Sequence, residues 1–337
     1  MQINEKISSR RIDRIAAALL ASCLIAMPSG AQAADWRPEK SVEIIVGAAA
    51  GGPLDKTARL IQKLAEERNI GVPISVVNKT GGAHAIAMAY LNQHAGDGHY
   101  LAMASPNLLT NRITGSHPLS YPDVTPLALL TREYVAMSVR ADSRFKTGKD
   151  VIDALRASPG SITMAITGRA GAQHLAAGSI LKAAGVDMKG VKFVSFKGGS
   201  ETTVAVLGGH VDIVMATPFS VLKHVEAGRM RMLAITAPKR LLGGLAAVPT
   251  WRELGFDAVS SNWRSVVGPK GMSAPQVAYW DRFLGETARS AQWQDVLRQN
   301  QWEGEYRNSA DTLKFYREEY KHLEAVLTES GDARPVK

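Results

Sequence analysis

Hydrophobic residues along this chain form short runs and helical repeats, separated by very small residues. The clearest case begins with Val42–Val46, a β-rich run that predicts a strand. Residues 47–52 are only glycine and alanine, and from Pro53 onward apolar positions follow the i, i+4, i+7 spacing of a helix face. Proline suits the first turn of a helix, where no N–H group is needed. The pattern therefore predicts a strand, a small-residue loop and a helix.

The predicted loop has the features of an anion-binding site. The first N–H groups of a helix lack partners within it, and small residues let a ligand approach the backbone. A nucleotide phosphate does not fit, because Pro53 stands where the P-loop motif requires lysine and Ala49 interrupts the G-x-G-x-x-G pattern. An ordinary strand-to-helix turn without a ligand is the alternative interpretation.

The same pattern returns about 120 residues later. Residues 161–167 predict a strand, residues 168–172 a second small loop, and residues from Gln173 onward a helix. If the two units belong to different domains, both helix N-termini can point at one anion in a cleft. Two unrelated strand-to-helix turns are the alternative.

The remaining patterns alternate between strands and helices, which is typical of α/β proteins. Strands are predicted at 74–77, 100–104, 192–196, 211–216 and 230–236, and helices at 83–93, 149–157, 200–207, 218–227, 275–289, 291–300 and 309–329, with a short helix ending at residue 255. The extended runs within 127–139 and 262–267 predict two crossings between domains.

Residues 1–33 have the pattern of a secretory signal peptide. Basic residues precede a 13-residue apolar run at 15–27 and a small-x-small cleavage site at 31–33. This run is shorter than the roughly 20 residues that a membrane span needs. We therefore expect a periplasmic protein. An alternative is that residues 20–23 act as a bacterial lipobox, which would make Cys23 a lipid anchor.

Removal of residues 1–33 would leave 304 residues without cysteine, since Cys23 is the only one. Disulfide and thiol chemistry would then be excluded. The formal charge falls from +9 to +7, because four basic and two acidic residues are lost. This charge favours anionic partners, but the scattered lysines and arginines indicate no nucleic-acid binding. The length favours two domains, residues 34–136 plus 261–337 and residues 137–260.

The sequence shows no catalytic or metal-binding motif. The nearest approach to a G-x-S-x-G elbow has Thr202 at its last position. The eight histidines lack metal-ligand spacing, so we expect surface or capping roles, with His174 in the first turn of the second helix as the exception of interest. Asp55 and Asp212 are interpreted as turn and cap carboxylates, and Trp263 as core or cleft wall. No catalytic residue, cofactor or metal is expected.

Nine short stretches together resemble a known family. They are GGxxDxxAR at 51–59, VNKxGG at 77–82, GDGxYL at 96–101, Gly168 with His174-Leu175, KGGSE at 197–201, LGGHVD at 207–212, RxLAIT at 231–236, VPTxxELG at 248–255, and Trp263 with Gly268-Pro269. Their order and spacing resemble the substrate-binding receptors of tripartite tricarboxylate transporters, the Bug-type periplasmic proteins. The resemblance covers essentially all of the chain after residue 33.

The resemblance implies a two-domain Venus-flytrap fold of the periplasmic-binding-protein type. Each domain would be a mostly parallel sheet flanked by helices, and two crossing strands would form the hinge. It also implies a non-enzymatic receptor that holds a small carboxylate between the two loops and delivers it to membrane transporter subunits. We expect a monomer. A sensory receptor with a signalling partner and a periplasmic enzyme acting on a small acid are the alternatives.

The chain departs from the family pattern at both loops. The first lacks the usual prolines and aromatic residue, the second has Ala170 and Gly171 where a serine and a second glycine are common, and Ala216 replaces a frequent aspartate. Arg169 is either a bidentate carboxylate grip or an exposed loop charge. The predicted ligand-binding residues are Gly51, Gly52, Asp55, Ser105, Gly168, Arg169, Gly171, Ala172 and Thr217.

Overall fold

The computed structural model describes residues 36–196 and 199–334. The predicted signal peptide 1–33, with Cys23, and the turn residues Lys197 and Gly198 lie outside the described residues. Two mixed sheets, each flanked by helices, make up the described chain. The predicted α/β fold class is therefore confirmed.

The first sheet has six strands in the order β11-β4-β10-β3-β1-β2. They are β1 Val42–Val46, β2 Ile74–Asn78, β3 Tyr100–Ala104, β4 Val124–Tyr134, β10 Ser261–Pro269 and β11 Glu303–Arg307. The second sheet has the order β7-β6-β8-β5-β9. Its strands are β5 Ala136–Arg140, β6 Thr163–Ile166, β7 Lys192–Ser195, β8 Ile213–Ala216 and β9 Met230–Ile235.

Ten α-helices are formed by the described residues. They are α1 Pro53–Glu67, α2 Ala85–Asn92, α3 Asn107–Ile113, α4 Gly148–Ala157, α5 Ala172–Ala184, α6 Gly199–Leu207, α7 Pro218–Glu226, α8 Ala274–Arg289, α9 Ala291–Asn300 and α10 Ser309–Ser330. Strand β1 is apolar at four of its five positions and lies between β2 and β3, with helices packed on the sheet. Strands covered in this way favour continuous apolar runs, which explains its sequence.

Both sheets are mixed, whereas mostly parallel sheets were expected. Strand β1 pairs in parallel with β2 and β3, but β10 runs antiparallel to β3 and β4. In the second sheet, β6 is parallel to β7 and β8, and β5 is antiparallel to β8 and β9. The antiparallel pairs arise because β4, β5 and β10 belong to the predicted crossings rather than to strand–helix–strand units.

Strand register brings distant loops to common sheet edges. Val46 at the end of β1 is aligned with Met103 of β3, so Gly47 and Ser105 leave the sheet at the same edge. Strands β6 and β8 are also parallel neighbours, so the loop from Gly168 and the residue Thr217 share an edge of the second sheet. Ligands of open α/β sheets bind beyond such carboxyl ends.

Three local predictions were wrong. Residues 251–255 form turns rather than a helix, and Thr250 before them is bridged to Ile235. Strand β11 was missed because its sequence, EGEYR, is polar and half-exposed. Helix α3 was missed because it is only seven residues long and follows Pro106 directly.

Helix α10 connects the two sheets. It packs against β4 of the first sheet and against α3, the helix that follows β3. It also packs against α5, the helix that follows β6 of the second sheet. Its His322 Nε2 lies 3.2 Å from Ser179 Oγ of α5, and Lys182 Nζ lies 2.6 Å from Glu329 Oε1. The helices approach closely at Gly178, where an added Cβ would lie 2.6 Å from Val326 Cγ1.

Replacement of Gly178 by alanine should therefore destabilise the protein. Overpacking costs about 1–3 kcal/mol, and the better helix propensity of alanine offsets about 1 kcal/mol of that cost. Val326→Ala removes the clashing methyl group, so a double-mutant cycle measured by urea unfolding should show a coupling free energy of at least about 0.5 kcal/mol. Strictly additive effects would contradict this close approach.

Candidate functional site

The first loop is held by the buried carboxylate of Asp55, which is 1% exposed. Its Oδ2 accepts hydrogen bonds from the Gly51 N–H at 2.8 Å and from Arg59 Nε at 2.9 Å. Its Oδ1 accepts from Asn78 Nδ2 at 3.0 Å and from Arg59 Nη2 at 3.1 Å. Burial alone would raise the pKa of Asp55, but these hydrogen bonds outweigh it and hold the pKa below its usual value. Asp55 therefore fixes the conformation of the loop through its buried hydrogen bonds.

The same loop leaves N–H groups of helix α1 without partners. Gly52 is the extended N-cap, with φ −72° and ψ 170°, and no side chain caps the helix. The first N–H to bond back within the helix is that of Lys56, which donates to the Gly52 carbonyl. Leu54 and Asp55 therefore present their N–H groups outward. The N–H groups of Gly51 and Gly52 themselves donate within the loop, to Asp55 and to the Ala49 carbonyl.

The second loop repeats this cap geometry. Gly171 is the N-cap of α5 with φ −82° and ψ 171°, again without a capping side chain. Leu175 is the first to bond back, to the Gly171 carbonyl, which leaves the N–H groups of Ala172 and the next two residues for an external acceptor. Gly168 has φ +105°, a conformation that favours glycine, and so turns the chain out of β6.

Arg169 and His174 both lie near Asp332, which follows the C-terminus of α10. Arg169 Nε donates to Asp332 Oδ1 at 3.1 Å, and the Arg169 side chain is 60% exposed. His174 Nδ1 accepts from the Ala170 N–H at 3.1 Å and lies 3.8 Å from Asp332 Oδ2. The structure thus gives Arg169 an ion pair within the chain, and its role as a carboxylate grip stays a prediction.

His174 is a buried neutral base, 1% exposed. Burial lowers its pKa to about 4, and this effect exceeds the opposite influence of Asp332. The Ala170 hydrogen bond occupies Nδ1, so the neutral ring carries its proton on Nε2. The side chain packs edge-on against Phe193, with ring centroids 4.8 Å apart. His174 therefore supports the second loop from the core side.

Two further predicted residues follow strands at the same edges. Ser105 is buried at the end of β3, with Oγ 3.2 Å from Nδ1 of His84. Thr217 is the N-cap residue of α7, and its Oγ1 lies 3.0 Å from Ser220 Oγ. Both hydroxyls are placed at carboxyl ends of strands, as the sequence predicts.

The second loop packs against the first sheet. Ala170 and Leu175 join the hydrophobic cluster that contains Leu108 and Leu109 of α3. Within residues 36–196 and 199–334, no hydrogen bond connects the first loop to the second. The second loop therefore contacts the first sheet through apolar packing, and no side chain caps the N-terminus of α1 or of α5.

Sequence reasoning gave no role to Asn78 or His84, which lie against the first loop at Ala48 and Gly47. Asn78 ends β2, next to β1, so its position at a strand end was the available signal. His84 gave only the weaker signal of a polar residue shortly after the glycines of a turn. Asp212 accepts hydrogen bonds from Thr163, which fits the turn role expected of it. Trp263 is fully buried among Phe315 and Tyr316, so it is a core residue.

The part of the chain that the structure describes holds no cluster of three or more histidine, cysteine or acidic residues arranged to bind a metal ion. None of the helices formed by these residues combines the length and apolar character that a membrane crossing requires.

Comparison with known proteins identifies the family. The model of the tripartite tricarboxylate transporter family receptor, TctC, matches residues 57–331. A UPF0065 protein from the gbd 5′ region of Cupriavidus necator is 30% identical over 321 residues, which cover 95% of this chain and 96% of the relative. The chain therefore belongs to the tripartite tricarboxylate transporter receptor family, and the resemblance seen in the sequence is confirmed.

Solved structures share the fold. A TctC solute-binding protein from Polaromonas has a TM-score of 0.76 at 23% identity, covering 87% of this chain and 99% of that protein. A protein from R. palustris, solved with adipate, has a TM-score of 0.73 at 24% identity, covering 88% of this chain and 99% of that protein. The two-domain fold of periplasmic solute-binding proteins is thereby confirmed.

Replacement of Asp55 by asparagine should destabilise the protein by about 2 kcal/mol, because hydrogen bonds to a buried charge are lost and an amide N–H₂ faces other donors. The free energy of unfolding in urea measures this. Asp153→Asn is the matched control, since Asp153 is 75% exposed on α4, and should change stability by less than about 0.5 kcal/mol. Equal effects of the two substitutions would contradict the role of Asp55.

Replacement of His174 by glutamine should reduce the loss of stability in acid. The pKa of His174 is about 4 in the folded protein and about 6.5 in an unfolded chain. The unfolded state therefore binds the extra proton, and stability falls as pH decreases through this window. A shift of this size corresponds to roughly 3 kcal/mol.

Urea unfolding near neutral pH and at about pH 4.5 tests this expectation. The exposed His210 provides the control, since His210→Gln should retain the wild-type difference between the two pH values. The idea fails if His174→Gln is as acid-sensitive as the wild type.

Proposed function

We propose that this protein is a periplasmic receptor that captures a small organic acid between its two loops and delivers it to a membrane transporter. The observation that carries the proposal is the pair of uncapped helix N-termini, at Gly52 and Gly171, with nearly identical backbone angles. Each presents N–H groups and a positive dipole end, which together suit a carboxylate.

Two further observations support a cleft between domains. The strands from Ala136 to Ile235 all belong to the second sheet, while the strands before and after them belong to the first. This division supports two domains with boundaries close to the predicted ones, residues 34–136 plus 261–337 and residues 137–260. The R. palustris structure with adipate supports a carboxylate as the ligand.

We further infer that the protein binds its ligand without turnover, acts as a monomer and reaches the periplasm through a signal peptide at residues 1–33. The receptor role of the family supports binding rather than catalysis. The apolar run and cleavage pattern at the N-terminus support export.

Thermal unfolding of residues 34–337 with a panel of mono-, di- and tricarboxylates tests the proposal. A ligand at 100 times its dissociation constant adds about 2.7 kcal/mol of stability, so a clear upward shift with one chemical class supports the receptor. Mass spectrometry of the denatured protein shows whether a ligand was already bound. An empty protein that responds to no acid contradicts the proposal.

Replacement of Gly171 by aspartate should abolish acid binding while keeping the fold. The φ of −82° accepts any residue, and an added Cβ makes only ordinary contact with the Gly168 carbonyl, at 3.5 Å. The aspartate then caps α5 itself, which stabilises the helix by a few tenths of a kcal/mol, about the difference between aspartate and glycine at this position. It also repels a ligand carboxylate.

Isothermal titration with the acid found in the panel measures the loss, which should exceed about tenfold, as expected when charge-assisted hydrogen bonds are replaced by repulsion. Gly171→Asn adds the cap without the charge and should weaken binding less, and Gly171→Ala should leave it nearly unchanged. Unaltered binding by Gly171→Asp would remove the N-terminus of α5 from the site.

A further inference from the structure

We propose that His84 determines which organic acids this receptor accepts, by hydrogen bonding to a neutral oxygen, a hydroxyl or a carbonyl, beside the ligand carboxylate. This proposal rests on the proposed receptor function and deepens it, because it names the class of acid. The sequence pattern gave His84 no special role.

His84 lies at the base of the first loop. Its Cα and Cβ approach Gly47 so closely that a Cβ on Gly47 would lie 2.9 Å and 2.6 Å from them. Its Nδ1 lies 3.2 Å from Oγ of Ser105. Gly47 follows β1 and Ser105 follows β3, so the imidazole lies across the carboxyl ends of two parallel neighbours, where ligands of α/β sheets bind.

The backbone at His84 is held in an unfavourable conformation. Residues 81–84 have φ values of +123°, +55°, +48° and +75°, and the last two belong to Ala83 and His84 rather than to glycine. Non-glycine residues in this region carry strain, which concentrates at ligand-binding sites. The strained peptide is fixed by Asn111, whose Nδ2 donates to the Ala83 carbonyl at 2.9 Å.

One end of the imidazole is therefore engaged, and the other is available. His84 and Ser105 border a cavity of about 10 Å³ together with Asn111 and His117, and this volume is near the smallest that can hold one water. Within the described residues, Nε2 of His84 has no hydrogen-bond partner. A partly buried ring at this edge can thus offer one polar atom to a ligand, directly or through a water.

The chemistry of Nε2 of His84 favours an uncharged hydrogen-bond partner. Burial lowers the pKa of His84, so the ring is uncharged at neutral pH. At its free nitrogen, Nε2, a neutral imidazole can donate or accept one hydrogen bond. It adds no charge that would balance a second carboxylate. A hydroxyl or carbonyl oxygen of the acid meets this requirement.

Pairs of acids that differ by one hydroxyl test the proposal. Isothermal titration of the wild type with malate against succinate, and with lactate against propionate, should show a preference of about tenfold for the hydroxylated member of a pair, as expected for one neutral hydrogen bond. His84→Gly removes the imidazole and relieves the strain, so the protein should fold and this preference should disappear. Ala83→Gly relieves neighbouring strain, keeps the imidazole and should keep the preference.

Each other outcome overturns the proposal in a distinguishable way. If His84→Gly weakens both members of a pair equally, or retains the preference, His84 only supports the loop. If the wild type binds acids without regard to the hydroxyl, the receptor function stands and the role of His84 fails. If no acid binds to protein shown to be empty, both proposals fail.

Discussion

The first loop depends on a buried carboxylate that must find hydrogen-bond donors. An ionised aspartate inside a protein is costly unless it is paired, and Asp55 meets this requirement through Gly51, Arg59 and Asn78. These donors come from the loop, from α1 and from the end of β2. One side chain therefore fixes the loop against its own helix and the adjacent strand. The N–H groups of the first helical turn are consequently held in a fixed arrangement by the protein itself.

Hydrophobic periodicity was sufficient to predict the two strand–loop–helix units. Their strands are continuous apolar runs and their helices have apolar faces, so local sequence and tertiary packing favour the same structure. The second loop shows where this reasoning ended. The sequence left Arg169 as either a carboxylate grip or an exposed loop charge, and the structure adds an ion pair with Asp332, 163 positions away. No local pattern indicates such a partner, because it is determined by the packing of α10 on α5.

The turn before α2 illustrates a different limit. Glycine at positions 81 and 82 correctly indicated a change of direction, but Ala83 and His84 predict an ordinary helix start. The structure instead continues the left-handed conformation through both residues before α2 begins. Tertiary contacts overrode local propensity here, since Asn111 donates to the Ala83 carbonyl and His84 lies close against Gly47. Positions where the structure departs from the local sequence preference are expected to be functional or strained.

Helix α10 also affects the order in which the protein can fold. It fills part of the core of the first sheet, whose first strand starts at Val42, and it packs against α5 of the second sheet. Ribosomes make α10 later than every strand of either sheet, so neither β4 nor α5 obtains its final neighbour until then. Contacts between such distant segments slow folding. A newly made chain with this arrangement therefore keeps the apolar surfaces that α10 covers exposed to solvent until its last helix has been synthesised.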